Sequence, residues 1–142
     1  MQRNVFAALF DGGLYRIAES TAAGHSHAGD GNGTNIIVLE NDFFTVRHDK
    51  KAGGAPVSLI FKNGSGNNFL EKPVSAHVTL KKDNRIIFFR QSCGTAETFS
   101  HTVSEDGVKI FTEGIFSDEE GNTIPVRYKQ TFFYQAWGRV NV

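Results

Sequence analysis

Apolar and polar residues alternate along most of this chain, and each alternating run breaks at a turn carrying Gly, Asn or Asp. The run Thr123–Tyr134 shows the period best. Ile124, Val126, Tyr128, Phe132 and Tyr134 share one parity, with Arg127, Lys129 and Thr131 on the other. A period of two with one apolar side predicts a strand buried on a single face. Such strands belong to antiparallel sheets packed in a sandwich. The pattern therefore predicts an all-β fold, an antiparallel β-sandwich with no long helix.

The remaining strands follow from the same reading. Val5–Phe10 and Leu14–Ala18 flank Asp11-Gly12-Gly13, a hairpin placed at an edge of the sandwich, with helix as the competing reading of Val5–Phe10. Ser20–Asn35 is Gly-rich and reads as a long loop. Ile36–Glu40, Phe43–His48 and Val57–Lys62 come next, and Asn63-Gly64-Ser65-Gly66 is the tightest hairpin signal in the chain, leading into the short Asn67–Glu71. Ala76–Lys81, Arg85–Gln91, Glu97–Val103, Val108–Phe116, Thr123–Tyr134 and Arg139–Val142 complete the set. Ile86-Ile87-Phe88-Phe89 breaks the alternation by placing bulky groups on both faces. A strand of that kind needs cover twice, and with no helix to supply it the expectation is a homo-oligomer.

Composition adjusts this picture only slightly. A length of 142 residues fits one domain over 1–142, and 13 Phe within a 39% hydrophobic chain supply its core. The 15 basic residues balance 15 acidic ones, and the longest basic patches, Lys50–Lys51 and Lys81–Lys82, are only pairs. Without a basic stripe the chain is not expected to bind nucleic acid. The apolar run near the N-terminus breaks at Asp11, too short for a signal sequence or a membrane span. A cytoplasmic protein without membrane partners is the default expectation. Cys93 is the single cysteine, which rules out an internal disulfide.

Candidate chemistry is sparse. His25, His27 and Asp30 have the His-x-His spacing that lets two imidazoles meet one metal on a strand, but they sit in the Gly-rich loop. A solvated linker is the expectation there, with no metal and no cofactor. Glu105, Asp106, Asp118, Glu119 and Glu120 fall in turns, where carboxylates serve solvation and Asx geometry rather than acid–base catalysis. No G-x-S-x-G elbow occurs, and Asn63–Gly66 lacks the Lys-Ser/Thr sequel of a phosphate loop. Cys93, before Gly94, reads as a structural thiol. Sugar binding asks less: a ring face for the C–H surface and planar polar groups for the hydroxyls. Four residues could serve it. His48 shares parity with Phe44 and Val46, as a core histidine or a cleft donor. His77 lies on the polar side of its strand with Thr79 and Lys81. Arg127 lies opposite the apolar face of its strand, and Trp137 lies in a turn.

LENDFFTVRHDKKAGGAPVSLIFKNGSGNNFL (39–70) and EDGVKIFTEGIFSDEEGNTIPVRYKQTFFYQAWGRVNV (105–142) resemble matching parts of the galactose-mutarotase-like β-supersandwich. The likeness is nearest to the sandwich module of exo-rhamnogalacturonan-lyase-like polysaccharide-processing proteins and covers about Ile36–Val142. The family's supersandwich is longer than this chain, so the resemblance implies one portion of it, and no catalytic residue carries over. What it implies is a non-catalytic carbohydrate-binding or assembly module with an oligosaccharide partner. The alternatives are a small sugar-active enzyme, an epimerase or lyase with His48 or His77 as general base, and a structural protein without a ligand.

Overall fold

The computed structural model describes residues 4–10, 13–21, 33–135 and 140–142. Its strands are β1 (Asn4–Phe10), β2 (Gly13–Thr21), β3 (Thr34–Glu40), β4 (Phe44–Asp49), β5 (Pro56–Phe61), β6 (His77–Lys82), β7 (Arg85–Arg90), β8 (Thr98–Ser104), β9 (Gly107–Ser117), β10 (Thr123–Gln135) and β11 (Val140–Asn141). All pairings are antiparallel. One sheet runs β1-β2-β3-β4-β5, and the second runs β11-β10-β9-β7-β6 with β8 also paired to β9. The all-β antiparallel sandwich anticipated from the alternation is what the chain forms, with β1 and β2 at one edge of the first sheet. The turn Asp11-Gly12 and most of the Gly-rich loop, together with His25, His27, Asp30 and Trp137, lie outside the described residues.

Local chemistry fixes the turns. Asn41 Oδ1 accepts from the backbone N–H groups of Phe43 and Phe44, each at 2.8 Å, which closes the β3–β4 turn. Asp83 and Asn84 both have positive φ, at 49° and 59°, as a two-residue hairpin between right-twisted strands requires. Asn63–Gly66 behaves differently from its hairpin reading. It leads only to an isolated bridge between Ile60 and Asn68, after which the chain crosses to the second sheet.

The core forms where the two sheets face one another. Ile17, Ile37, Leu39, Phe44 and Val46 from the first sheet pack against Phe99, Val108, Ile110, Phe132 and Tyr134 from the second. Each such side chain contributes about 1.5–3 kcal/mol through lost contact with water. A smaller cluster of Phe89, Phe116 and Tyr128 continues along the inner face of the second sheet. On β7 the two-sided strand divides as its sequence implied. Phe89 is buried and Ile87 joins the smaller cluster, whereas Ile86 and Phe88 stand 60% and 43% exposed on the outer side.

β9 is the keystone of the second sheet. One edge pairs with β10, and the other is shared by β8 over Gly107–Glu113 and β7 at Ser117. The short 3-10 turns at Lys50–Ala52 and Gln91–Cys93 meet in the notch between β7 and β8. There Ala96 N–H donates to Lys50 O at 2.8 Å and Gln91 Nε2 donates to Gly53 O at 2.9 Å.

Candidate functional site

Two polar regions are candidates for chemistry, one enclosed and one open. The enclosed region centres on His48, which has no exposed surface. Its Nδ1 lies 2.7 Å from Gly54 O. A carbonyl can only accept, so Nδ1 carries the proton and Nε2 accepts from the Tyr134 hydroxyl at 2.6 Å. Phe132 packs edge-on against the imidazole at 4.9 Å between ring centroids. Burial pushes the His48 pKa from 6.5 down to about 4, against the smaller opposing effect of the Gly54 hydrogen bond. Burial likewise pushes the Tyr134 phenol upward. The adjoining Gly53 carbonyl accepts from both Thr112 Oγ1, at 2.7 Å, and Gln91 Nε2. His48 is thus a neutral core histidine with both nitrogens occupied, and it faces no cleft.

The open region is the outer face of the second sheet. Register places His77, Thr79 and Lys81 of β6 beside Ile86, Phe88 and Arg90 of β7, and Arg90 pairs with Ser117 of β9. Through β9 the same face continues to Arg127 and Lys129 of β10 and to Thr98 and Ser100 of β8. His77 and Arg127, distant in sequence, therefore share one face. At its β7 end lies a hollow of about 520 Å³, lined by Ile86, Phe88, Arg90, Asp118, Glu119 and Asn122 among others. The Arg90 guanidinium sits 5.2 Å from the Phe88 ring centroid and binds Glu119 at 3.1 Å. The His77 ring lies 6.0 Å from Phe88, tilted by 57°. Asp118 shapes the rim. Its carboxylate accepts from Asn122 Nδ2 at 2.9 Å and from the backbone N–H of Asn122 and Glu120, contacts that hold its pKa below the usual carboxylate value, the Asn122 side chain foremost.

A second hollow on this face, of about 260 Å³, is lined by Thr98, Ser100, Phe111, Glu113 and Lys129. Arg127 stands beside it, bonded to Glu97 and at 3.3 Å to Glu113, with its pKa raised chiefly by Glu97. The face combines half-exposed rings, guanidinium groups and short hydroxyls, groups able to stack on flat surfaces and to form paired hydrogen bonds.

Sequence reasoning did not find Phe88, Arg90 or the Asp118–Asn122 rim as a site. The outward parity of Phe88 and Arg90 with His77 was readable only once β6 and β7 were paired in register. Nor did it find the His101–Glu19 pair, 2.6 Å apart, which clasps β8 to β2 across the two sheets. Among the described residues no group of three His, Cys, Asp or Glu side chains is placed to hold a metal ion. Comparison with family models, with curated proteins and with solved structures found no match to this chain.

Proposed function

We propose that this chain is a non-catalytic carbohydrate-binding module of a polysaccharide-processing protein, and that it takes an oligosaccharide on the outer face of the second sheet. The observation that carries this reading is the hollow of about 520 Å³ in which the half-exposed Phe88 ring, the stacked Arg90 and the rigid Asp118–Asn122 turn converge. Rings and planar polar side chains at fixed positions suit a pyranose, which offers C–H surface on its faces and hydroxyls around its edge. The resemblance of 39–70 and 105–142 to the galactose-mutarotase-like supersandwich supports the same lineage. With His48 enclosed, a sugar-active enzyme built on the two candidate histidines would rest on His77 alone.

A glycan array with acidic and neutral oligosaccharides, followed by calorimetry on the hits, tests the proposal. Binding without turnover, weakened at least tenfold in Phe88→Ala and in Arg90→Ala, is the expected result. Turnover lost in His77→Ala would instead establish the enzyme. Exposed Ile86 favours a second reading, assembly, because Ile86 and Phe88 are also what a second copy would cover. Light scattering separates the two: a dimer abolished by Ile86→Lys, with no glycan hit, replaces the sugar by another copy of the chain.

A further inference from the structure

The turn after β5 carries a chemistry of its own. An asparagine followed by glycine can close into a five-membered ring, because the next backbone nitrogen is held within reach of the side-chain carbonyl carbon and the attack is intramolecular. A side chain on the following residue would shield that nitrogen and restrict its backbone, and glycine has none. Of the two Asn-Gly steps in the sequence, Asn63-Gly64 is the one both of whose residues are described.

The surroundings leave this step free to react. Asn63, Gly64, Ser65 and Gly66 are all exposed where the chain leaves β5. Gly64 N–H reaches Phe61 O only at 3.4 Å, beyond the roughly 2.7–3.2 Å of a well-formed bond, so its nitrogen is weakly held. Nothing among the described residues bonds the Asn63 amide. Three other asparagines are committed. Asn41 Oδ1 accepts two backbone N–H groups, Asn122 Nδ2 donates to Asp118 at 2.9 Å, and Asn68 Oδ1 accepts from Leu59 N–H at 2.9 Å and Leu70 N–H at 3.1 Å. The nitrogen that could attack Asn68 is that of Phe69, whose N–H is given to Leu59 O at 2.7 Å.

We propose that Asn63 is a site of self-modification in the folded chain, with water as the only co-reactant. The Gly64 nitrogen bonds to Asn63 Cγ, its proton passes to Nδ2, and the Cγ–Nδ2 bond breaks to release ammonia. Water then opens the succinimide ring. Opening at Cγ gives aspartate. Opening at the main-chain carbonyl gives isoaspartate, in which the backbone runs through Cγ. Either product adds a negative charge to the turn, and the second also lengthens the backbone by one carbon.

Peptide mass spectrometry on the folded chain, incubated at pH 7.0 and at pH 8.5, tests the proposal. Asn63 should give way to aspartate and isoaspartate, faster at the higher pH because the attacking nitrogen must shed its proton. Gly64→Ala should slow the conversion by about tenfold or more. A Cβ there meets nothing closer than Phe61 O at 3.7 Å, and Gly64 is not among the positive-φ residues, so the variant fits the turn. Asn63 left intact in the folded chain, an equal rate in Gly64→Ala, or loss of Asn41 and Asn68 as fast as Asn63 would each overturn it. The pH dependence and the comparison among asparagines are read on the native chain, and decide the matter even if the variant folds poorly.

Discussion

The hydroxyl of Tyr134 on β10 donates to Nε2 of His48 on β4 at 2.6 Å, a hydrogen bond between the two sheets that spans 86 residues of sequence. With Nδ1–H given to Gly54 O, the imidazole is held in one tautomer, and burial disfavours a second proton on it. The interior of this sandwich is organised around that neutral ring.

Acid should therefore destabilise the fold in a defined window. The folded pKa of His48 is about 4 against 6.5 for a free imidazole, so between those values the unfolded chain binds the extra proton. The stabilising effect is complete above about pH 6.5 and is lost as pH falls toward 4, a change of about 3 kcal/mol. Urea unfolding at pH 7.5, 5.5 and 4.5 measures it, and His48→Gln should flatten the slope in that range. Tyr134→Phe leaves Nε2 buried without a donor and should cost about 1–3 kcal/mol at neutral pH.

Gly53 and Gly54 adopt φ of +66° and +72°, and a Cβ at either would collide, with the Gln91 carbonyl in one case and with Thr112 Oγ1 in the other. Alanine at either position should cost about 3 kcal/mol or more by thermal unfolding. Gly66 has a similar φ of +73° but nothing within 4 Å of a Cβ, so Gly66→Ala should cost only about 1 kcal/mol. Equal penalties at the three sites would show that backbone conformation, and not the fit of the loop, sets the cost.

The Gly53 carbonyl has two donors, which predicts unequal effects of removing them. Thr112→Val keeps the shape and leaves Gln91 in place, and should cost about 1 kcal/mol. Gln91→Ala removes a wholly buried side chain that also accepts from Ala76 N–H at 3.3 Å, and should cost about 3 kcal/mol. Chemical denaturation of the two variants and of their combination gives the coupling directly.

Arg127 is an exposed partner of Glu97 and Glu113. Arg127→Ala should leave the melting temperature unchanged at physiological salt, since exposed ion pairs contribute little. Its measurable effect should appear in glycan affinity alone. A marked loss of stability would reassign the residue from the proposed binding surface to the scaffold.

Most of the strands were legible because single-face burial writes itself into the sequence with period two. Thr123–Tyr134 shows this from Tyr128 onward, with Tyr128, Phe132 and Tyr134 buried and Arg127 exposed, whereas the register shift between Thr123 and Arg127 leaves Val126 exposed, against its apolar parity. The outward placement of His77 with Thr79 was legible for the same reason. What alternation could not convey is which strands lie side by side. The shared face of His77 and Arg127 depends on the order β6-β7-β9-β10. The His48 network depends on partners 38, 59 and 86 residues away from the groups they bind, and no local pattern encodes such distances. The notch that receives Gly53-Gly54 is likewise made by distant parts of the chain, Gln91 and Thr112. Asn63–Gly66 was over-read. Its Gly and Asn signal a turn, yet Asn67–Glu71 supplies no alternating run to pair beyond one bridge.

The keystone position of β9 also orders events in time. The Thr112 hydroxyl that seats Gly53 lies 59 residues further along the chain. At a synthesis rate of roughly 5–20 residues per second, the loop emerges from a ribosome roughly 3–12 s before its receptor does. Throughout that interval the first sheet can pair its own strands but has nothing to lay its apolar side against. The nascent chain therefore passes through a stage in which Ile37, Leu39, Phe44 and Val46 face water, and it is then that a chaperone or a neighbouring nascent chain has access to them.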